Sequence, residues 1–190
     1  MWPAYLLTMC GISALLVHGA SSSGYMWKWE KIPSYIYDAV NLRPGPLLEG
    51  LWMTLKVTTA SFVITLFLGF GTAMARLFGS PVLRGIARLY LELVRNSPLM
   101  VQIFIIYFVL GPILGLDRFW AAVIALSLFE GSYLSEIIRS GILAIPKEQW
   151  QSAWTLGLTT PQTLRHVIMP QTAPMLLPPV LNLCISLVKD

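Results

Sequence analysis

Apolar residues along this chain come in long blocks rather than at alternating positions. Residues 51–75 hold one charge, Lys56; residues 98–116 hold none; residues 119–135 hold one, Glu130. Two shorter uncharged blocks flank them, residues 4–20 and 173–188. A bilayer core takes roughly 17–25 residues as helix. The strands of a membrane barrel are about ten residues long and alternate in polarity, which none of these blocks does. The pattern predicts an all-α membrane protein with about five spans.

Composition agrees. Of 190 residues, 12% are charged and 56% hydrophobic, where soluble domains carry about twice that charge. The net charge of +4 matters less than its distribution. Arg76, Arg84, Arg88 and Arg95 follow the second span against Glu92, and Arg139, Lys147 and Arg165 follow the fourth against Glu148. Segment 21–50 is balanced, and only Asp117 and Arg118 lie between spans three and four. Basic residues gather on the cytoplasmic side of membrane proteins. The two arginine-rich loops are therefore expected inside, and Lys31 and Asp117 outside.

Three segments follow. Residues 1–20 form an N-terminal transmembrane helix or a signal-like segment; no Lys or Arg precedes the apolar run, which favours retention, while 18–23 is rich enough in small residues to be cut. Residues 21–50 read as an external interfacial segment with Tyr25, Trp27, Trp29, Tyr35 and Tyr37 as an aromatic belt. Residues 51–190 form the main transmembrane domain, with a cytoplasmic loop at 139–170.

Self-contained catalysis finds little support. No Gly-Lys pair occurs, so there is no phosphate-cradling loop. Gly69 and Gly71 lack a third glycine at Met74 and suit close helix packing instead. Gly111 and Gly115 fit a span end turning at Pro112. His18 and His166 have no partners at metal spacing, and Cys10 and Cys184 read as small buried hydrophobes. No cofactor and no metal is expected.

The loop is more informative. Pro146 suits the start of a helix, Gly157 a left-handed cap, and Thr160 with Pro161 the start of a second helix that Pro170 should stop. Trp150, Ala153 and Trp154 form an apolar stripe on the first helix, so its exposed face should carry two tryptophans. Position between spans and sparse basic charge argue against a DNA-reading helix pair. Interfacial packing or docking into a groove of a cytoplasmic partner remain, and docking better explains a folded element in place of a polar linker.

Gln151-Ser152-Ala153, Gly157 four residues on, then Val167-Ile168-Met169-Pro170 resembles the E-A-A-x3-G-x9-I-x-L-P loop of bacterial ABC importer permeases, with departures at Gln151, Ser152 and Met169. The first removes the charge that the family pattern carries at that position. Arg95-Asn96-Ser97-Pro98-Leu99 with Gln102 is similar to the start of a span in the polar amino-acid branch, as is Tyr133-x-x-Glu136-x-x-Arg139-x-Gly141-Ile142. The resemblance covers roughly residues 50–190. It implies a type I permease-like helix bundle in the bacterial inner membrane, with one further family span beyond Asp190, so the chain is expected to be truncated. It also implies a cytoplasmic ABC ATPase, a periplasmic or lipid-anchored amino-acid-binding protein, a second permease subunit and an amino-acid solute. Gln151, Ser152, Ala153, Trp154, Gly157 and Pro170 would form the ATPase-coupling loop.

Polar residues inside the spans are the candidates for a solute path. A carboxylate within an apolar span costs several kcal/mol unless it faces protein or water. Glu130 is therefore either a path wall, meeting a substrate ammonium, or a hydrogen-bonded packing residue. Tyr133, Asn96 and Gln102 join it as candidates. Glu136 with Arg139 reads as a local pair, and Lys56 as a residue snorkelling to the outer interface. Pro178-Pro179 removes two backbone donors at membrane depth, which favours a bundle interior. Other readings are a truncated, non-transporting scaffold that docks an ATPase, or an unrelated channel- or receptor-like protein.

Overall fold

The computed structural model describes residues 2–24, 28–38 and 42–189. They belong to two compact units, 1–51 and 52–190. In the first unit, helix α1 (Trp2–Ser22) has no buried residue. Its hydroxyls turn inward on the helix: Thr8 Oγ1 donates to the Tyr5 carbonyl at 2.8 Å and Ser22 Oγ to the His18 carbonyl at 2.8 Å. Such back-bonding satisfies a hydroxyl that an apolar surrounding would leave without a partner. Cys10, expected to be buried, is exposed on this helix, which buries none of its residues. After a 3-10 turn (Trp29–Lys31) and α2 (Ile32–Ile36), strands β1 (Tyr37–Asp38) and β2 (Arg43–Pro44) pair antiparallel, Tyr37 opposite Pro44. Of the expected aromatic belt, Tyr35 and Tyr37 are exposed; Tyr25, Trp27 and the Trp29 side chain lie outside the described residues.

Among its described residues, the regular elements of the second unit are all helices. Helix α3 (Pro46–Phe78), whose first turns belong to the first unit, is followed by α4 (Pro81–Arg95), α5 (Leu99–Phe104), a π-helical stretch (Ile105–Leu110) and α6 (Gly111–Leu114). Then come α7 (Arg118–Ala144), α8 (Lys147–Thr155), α9 (Thr160–Thr163), a second π-helical turn (Leu164–Ile168) and α10 (Met169–Lys189). Among the described residues, four helical runs are long and apolar enough to cross a membrane: Trp2–Ser22, Pro46–Phe78, Arg118–Ala144 and Thr160–Lys189. The expected third span is the helical run Leu99–Leu114, set at 104° to α4, so the count reaches five if that bent pair is one span.

The first arginine-rich loop is mostly helix α4. Ser80 caps it, accepting from Leu83 N at 3.3 Å, with Pro81 in the first turn. Its charges Arg84, Arg88, Glu92 and Arg95 recur at helical spacing along one stripe, while Ala87 and Leu91 are buried on another. A block reading sees such a helix as polar because only half its surface is apolar.

Helix α7 is the centre of the bundle. Leu134, Ile138 and Ile142 pack with Ala73 of α3 and with Ile168, Leu183 and Leu187 from the last helical run. The α3–α7 contact is built from small residues. Ser61, Thr65, Gly69 and Ala73 recur every fourth residue and are buried, the spacing that lets two backbones approach. Ser127 Oγ donates to the carbonyls of Val123 (2.6 Å) and Ser61 (3.2 Å), crossing between the helices. A Cβ on Gly69 would stand 2.7 Å from Leu134 Cγ, so only glycine fits. The packing reading thus holds for Gly69, whereas Gly71 faces open space.

Pro170 does not stop the second loop helix, contrary to expectation. The chain runs helically from Thr160 to Lys189. The widened turn Leu164–Ile168, in which Met169 N–H reaches back to the Leu164 carbonyl, lies immediately before the proline. A proline in a regular helix clashes with the carbonyl four residues back and lacks a donor; a π turn relieves that geometry locally. Pro174, Pro178 and Pro179 also lie within α10. Pro178 is exposed on this chain, against the expectation of an interior position, and Pro179 is half-buried.

Candidate functional site

Glu130 lies near the middle of α7 and is 4% exposed. It forms part of the wall of an open cleft of about 570 Å³ between α7, the start of α5 and α10. From α7 come Phe129, Glu130, Tyr133 and Ile137; from α10 come Pro179, Asn182, Leu183 and Ser186; Leu99 closes one side. The positions 179, 182, 183 and 186 fall on one face of a helix. Phe129 and Tyr133 pack with ring centroids 5.1 Å apart. The cleft is thus largely apolar, with one buried carboxylate, a phenol, an amide and a hydroxyl. That composition suits a small solute carrying few polar groups.

The four candidates for a solute path separate here. Glu130 and Tyr133 share the cleft. Asn96 caps the end of α4 and donates to Glu92 Oε2 at 3.0 Å. Gln102 is a brace: its amide nitrogen lies 2.7 Å from the Val94 carbonyl, 3.1 Å from the Ser97 carbonyl and 2.9 Å from Ser97 Oγ. It bonds a carbonyl in the last turn of α4, Val94, and Ser97 just past it, at the 104° bend. Asn182 and Ser186 were missed by the block reading; their spacing from Pro179 was the available signal.

Glu136 does more than pair with Arg139. Its Oε2 accepts from Arg139 Nε at 3.1 Å, its Oε1 forms an ion pair with Arg76, and Arg95 stands 3.5 Å away. One carboxylate therefore joins the ends of α3, α4 and α7. Beside it is a polar cavity of about 280 Å³ lined by Arg76, Arg88, Glu92, Arg95, Asn96, Tyr133 and Glu136, with Leu91. The Arg95 guanidinium lies 5.4 Å from the Tyr133 ring centre, in cation–π range. Lys56 makes a comparable contact with Trp52 at 5.6 Å.

The loop at 139–170 folds as two helices meeting at a glycine. Gly157, at φ +78°, takes the left-handed position. Leu158 N–H bonds the Ala153 carbonyl (3.1 Å) and Gly157 N–H the Trp154 carbonyl (2.9 Å), the pair of bonds that closes a helix in a Schellman motif. The next helix is capped one residue earlier than expected, by Thr159, whose N–H reaches Gln162 Oε1 at 2.8 Å. The apolar stripe is divided, so of the two tryptophans expected on the exposed face only Trp154 lies there. Ala153 is 2% exposed, and Trp150 is half-buried against Phe78 with centroids 6.2 Å apart. Gln151, Ser152 and Trp154 remain exposed, as do Gly157 and Pro170. Among the described residues no group of His, Cys, Asp or Glu could hold a metal ion.

Comparison with known proteins matches residues 66–190 to the family described as binding-protein-dependent transport system inner membrane component. The L-cystine transport system permease protein TcyB of Bacillus subtilis is 41% identical over 81% of this chain and 67% of its own length. The glutamine transport system permease protein GlnP of Escherichia coli is 34% identical over 83% of this chain and 71% of its own length. A crystal structure of an amino acid ABC transporter with histidines superposes with a TM-score of 0.67 at 34% identity, covering 75% of this chain and 67% of that one. The chain spans about two thirds of the length of these relatives. Its helical bundle and these matches make it a multi-pass protein of the bacterial inner membrane, and it belongs to the family of inner-membrane components of binding-protein-dependent transport systems.

Proposed function

We propose that this chain is the transmembrane permease subunit of an ATP-driven importer of amino acids. The observation that carries the reading is the cleft on α7: a carboxylate buried mid-helix beside a phenol, an amide and a hydroxyl. A carboxylate at that depth is costly and is retained where it meets solute or water. The relatives are permeases of transport systems for L-cystine and glutamine, and a further one, ArtQ of Bacillus subtilis, for arginine, which supports an amino acid as the solute. Glu130 would take its ammonium group. Residues 21–50 would face outward, where a binding protein delivers solute, and a second permease subunit would complete the path. ATP hydrolysis would belong to a cytoplasmic ATPase docked on the loop at 139–170. There the exposed Gln151, Ser152 and Trp154 form the contact, while Ala153 holds the helix to its own bundle.

Substitution on the loop tests this. Gly157→Leu strains the left-handed cap by about 1–2 kcal/mol and tilts α8. Ser152→Trp obstructs the exposed face without touching the cap. In proteoliposomes containing the ATPase and binding protein, both variants should hydrolyse ATP with uptake reduced at least about fivefold, roughly 1 kcal/mol of coupling. Normal uptake by both would remove the loop from the mechanism.

A further inference from the structure

Helix α4 divides its surface into three strips. At about 100° per residue, Val82, Ile86, Leu89 and Leu93 fall together, and all four are 60–71% exposed. Ala87, Tyr90, Leu91 and Val94 fall beside them and meet the bundle: Ala87 and Leu91 are buried, and the Tyr90 hydroxyl donates to the Leu128 carbonyl of α7. Arg84, Arg88, Glu92 and Arg95 take the remaining side and are exposed. The two apolar strips are contiguous, and the charges lie across the helix from both. Protein therefore covers one half of the apolar surface, and no described residue buries the other.

The setting of α4 identifies the cover. The helix turns 104° from the uncharged run Leu99–Leu114. A helix roughly perpendicular to a span lies along the membrane surface, where an apolar face meets acyl chains and a charged face meets headgroups and water. Arg76 at the end of α3 and the arginines of α4 itself put that surface on the cytoplasmic side. Three arginines against one glutamate give α4 a positive charge, which anionic headgroups neutralise. A second copy packed on the same strip by two-fold symmetry would instead double that charge at one contact. We infer that α4 is a binding surface for anionic phospholipid. Val82, Ile86, Leu89 and Leu93 lie among the acyl chains of the cytoplasmic leaflet, and Arg84 and Arg88 take the phosphates. Arg95 is turned to Glu136 and the Tyr133 ring. Arg88 makes no ion pair among the described residues. Arg84 donates its Nε to the Gly79 carbonyl at 2.9 Å, and its terminal nitrogens suit a phosphate.

Quenching by spin-labelled lipid tests this on the chain in lipid nanodiscs, in the assembly in which it purifies. Cys10 and Cys184 are first changed to Ser, and a fluorophore is attached through Leu89→Cys or, separately, Glu92→Cys. The quenchers are phosphatidylglycerol and phosphatidylcholine carrying a nitroxide on the acyl chain, at equal mole fraction and about 0.1 M salt. The label at 89 should be quenched several-fold more than the label at 92. Phosphatidylglycerol should be preferred at position 89 by at least about fivefold. Arg84→Gln with Arg88→Gln should reduce that preference to within about twofold, and Arg84→Lys with Arg88→Lys should keep most of it, since either cation attracts the headgroup. Equal quenching at 89 and 92 means that protein covers the strip and overturns the inference; disulfide cross-linking between two copies through position 89 would then identify the cover as a second copy. Equal quenching by the two lipids overturns the anionic partner. A preference that survives the Gln pair, or is lost in the Lys pair, overturns the phosphate contacts.

Discussion

Glu136→Ala is expected to lower the stability of the bundle by about 2–3 kcal/mol. Removing one partner of a buried ion pair costs about 3–5 kcal/mol, because the other charge stays behind without compensation. Glu136 retains a quarter of its exposure, so solvent absorbs part of that cost. The loss is nonetheless triple: Arg76, Arg95 and Arg139 converge on this one group from three helices. Thermal unfolding in detergent should show a clearly lowered midpoint. Arg76→Ala in the Glu136→Ala background should cost less than Arg76→Ala alone, with a coupling of at least about 1 kcal/mol. Additive effects would mean that the convergence contributes nothing to holding the helices together.

Substitution of Glu130 should affect transport more than stability. Glu130→Gln keeps shape and most hydrogen bonding while removing the charge, and uptake of a labelled amino acid should fall about tenfold, roughly 1.4 kcal/mol. Glu130→Leu also removes the polar atoms from the cleft wall. It should reduce uptake by about a hundredfold, roughly 3 kcal/mol, the range of a hydrogen bond to a charged group. Both variants should insert, and uptake is normalised to the amount of inserted protein. Parental uptake by both would make Glu130 a packing residue.

Much of the architecture was legible in the residues because membrane spans declare themselves by composition. The blocks at 51–75 and 119–135 lie within α3 and α7, and the glycine-capped loop was readable because Gly157 and the Pro146 start are local signals. What escaped depends on tertiary packing. Helix α4 was hidden among its arginines because its apolar positions recur in helical stripes and never form a block. The pairing of Glu136 with Arg139 was visible at a spacing of three, but Arg76 lies 60 residues away and reaches it only when α3 lies along α7. Gln102 gave no hint of its role, since an amide bracing a bend cannot be told from one facing solute without the bend. The half-covered stripe on α8 shows the same limit. Helical spacing identifies an apolar face, but Phe78, far back in the sequence, decides what covers it.

The central claim is that this chain conducts amino acids across the membrane under the drive of an ATPase. It is tested most directly by uptake of radiolabelled L-cystine, L-arginine and L-glutamine into proteoliposomes holding the chain, its ATPase and its binding protein, with ATP enclosed or withheld. At least one of the three should accumulate only with ATP, and Glu130→Leu should abolish most of that accumulation. ATP hydrolysis without accumulation of any amino acid, or accumulation indifferent to ATP, would contradict it.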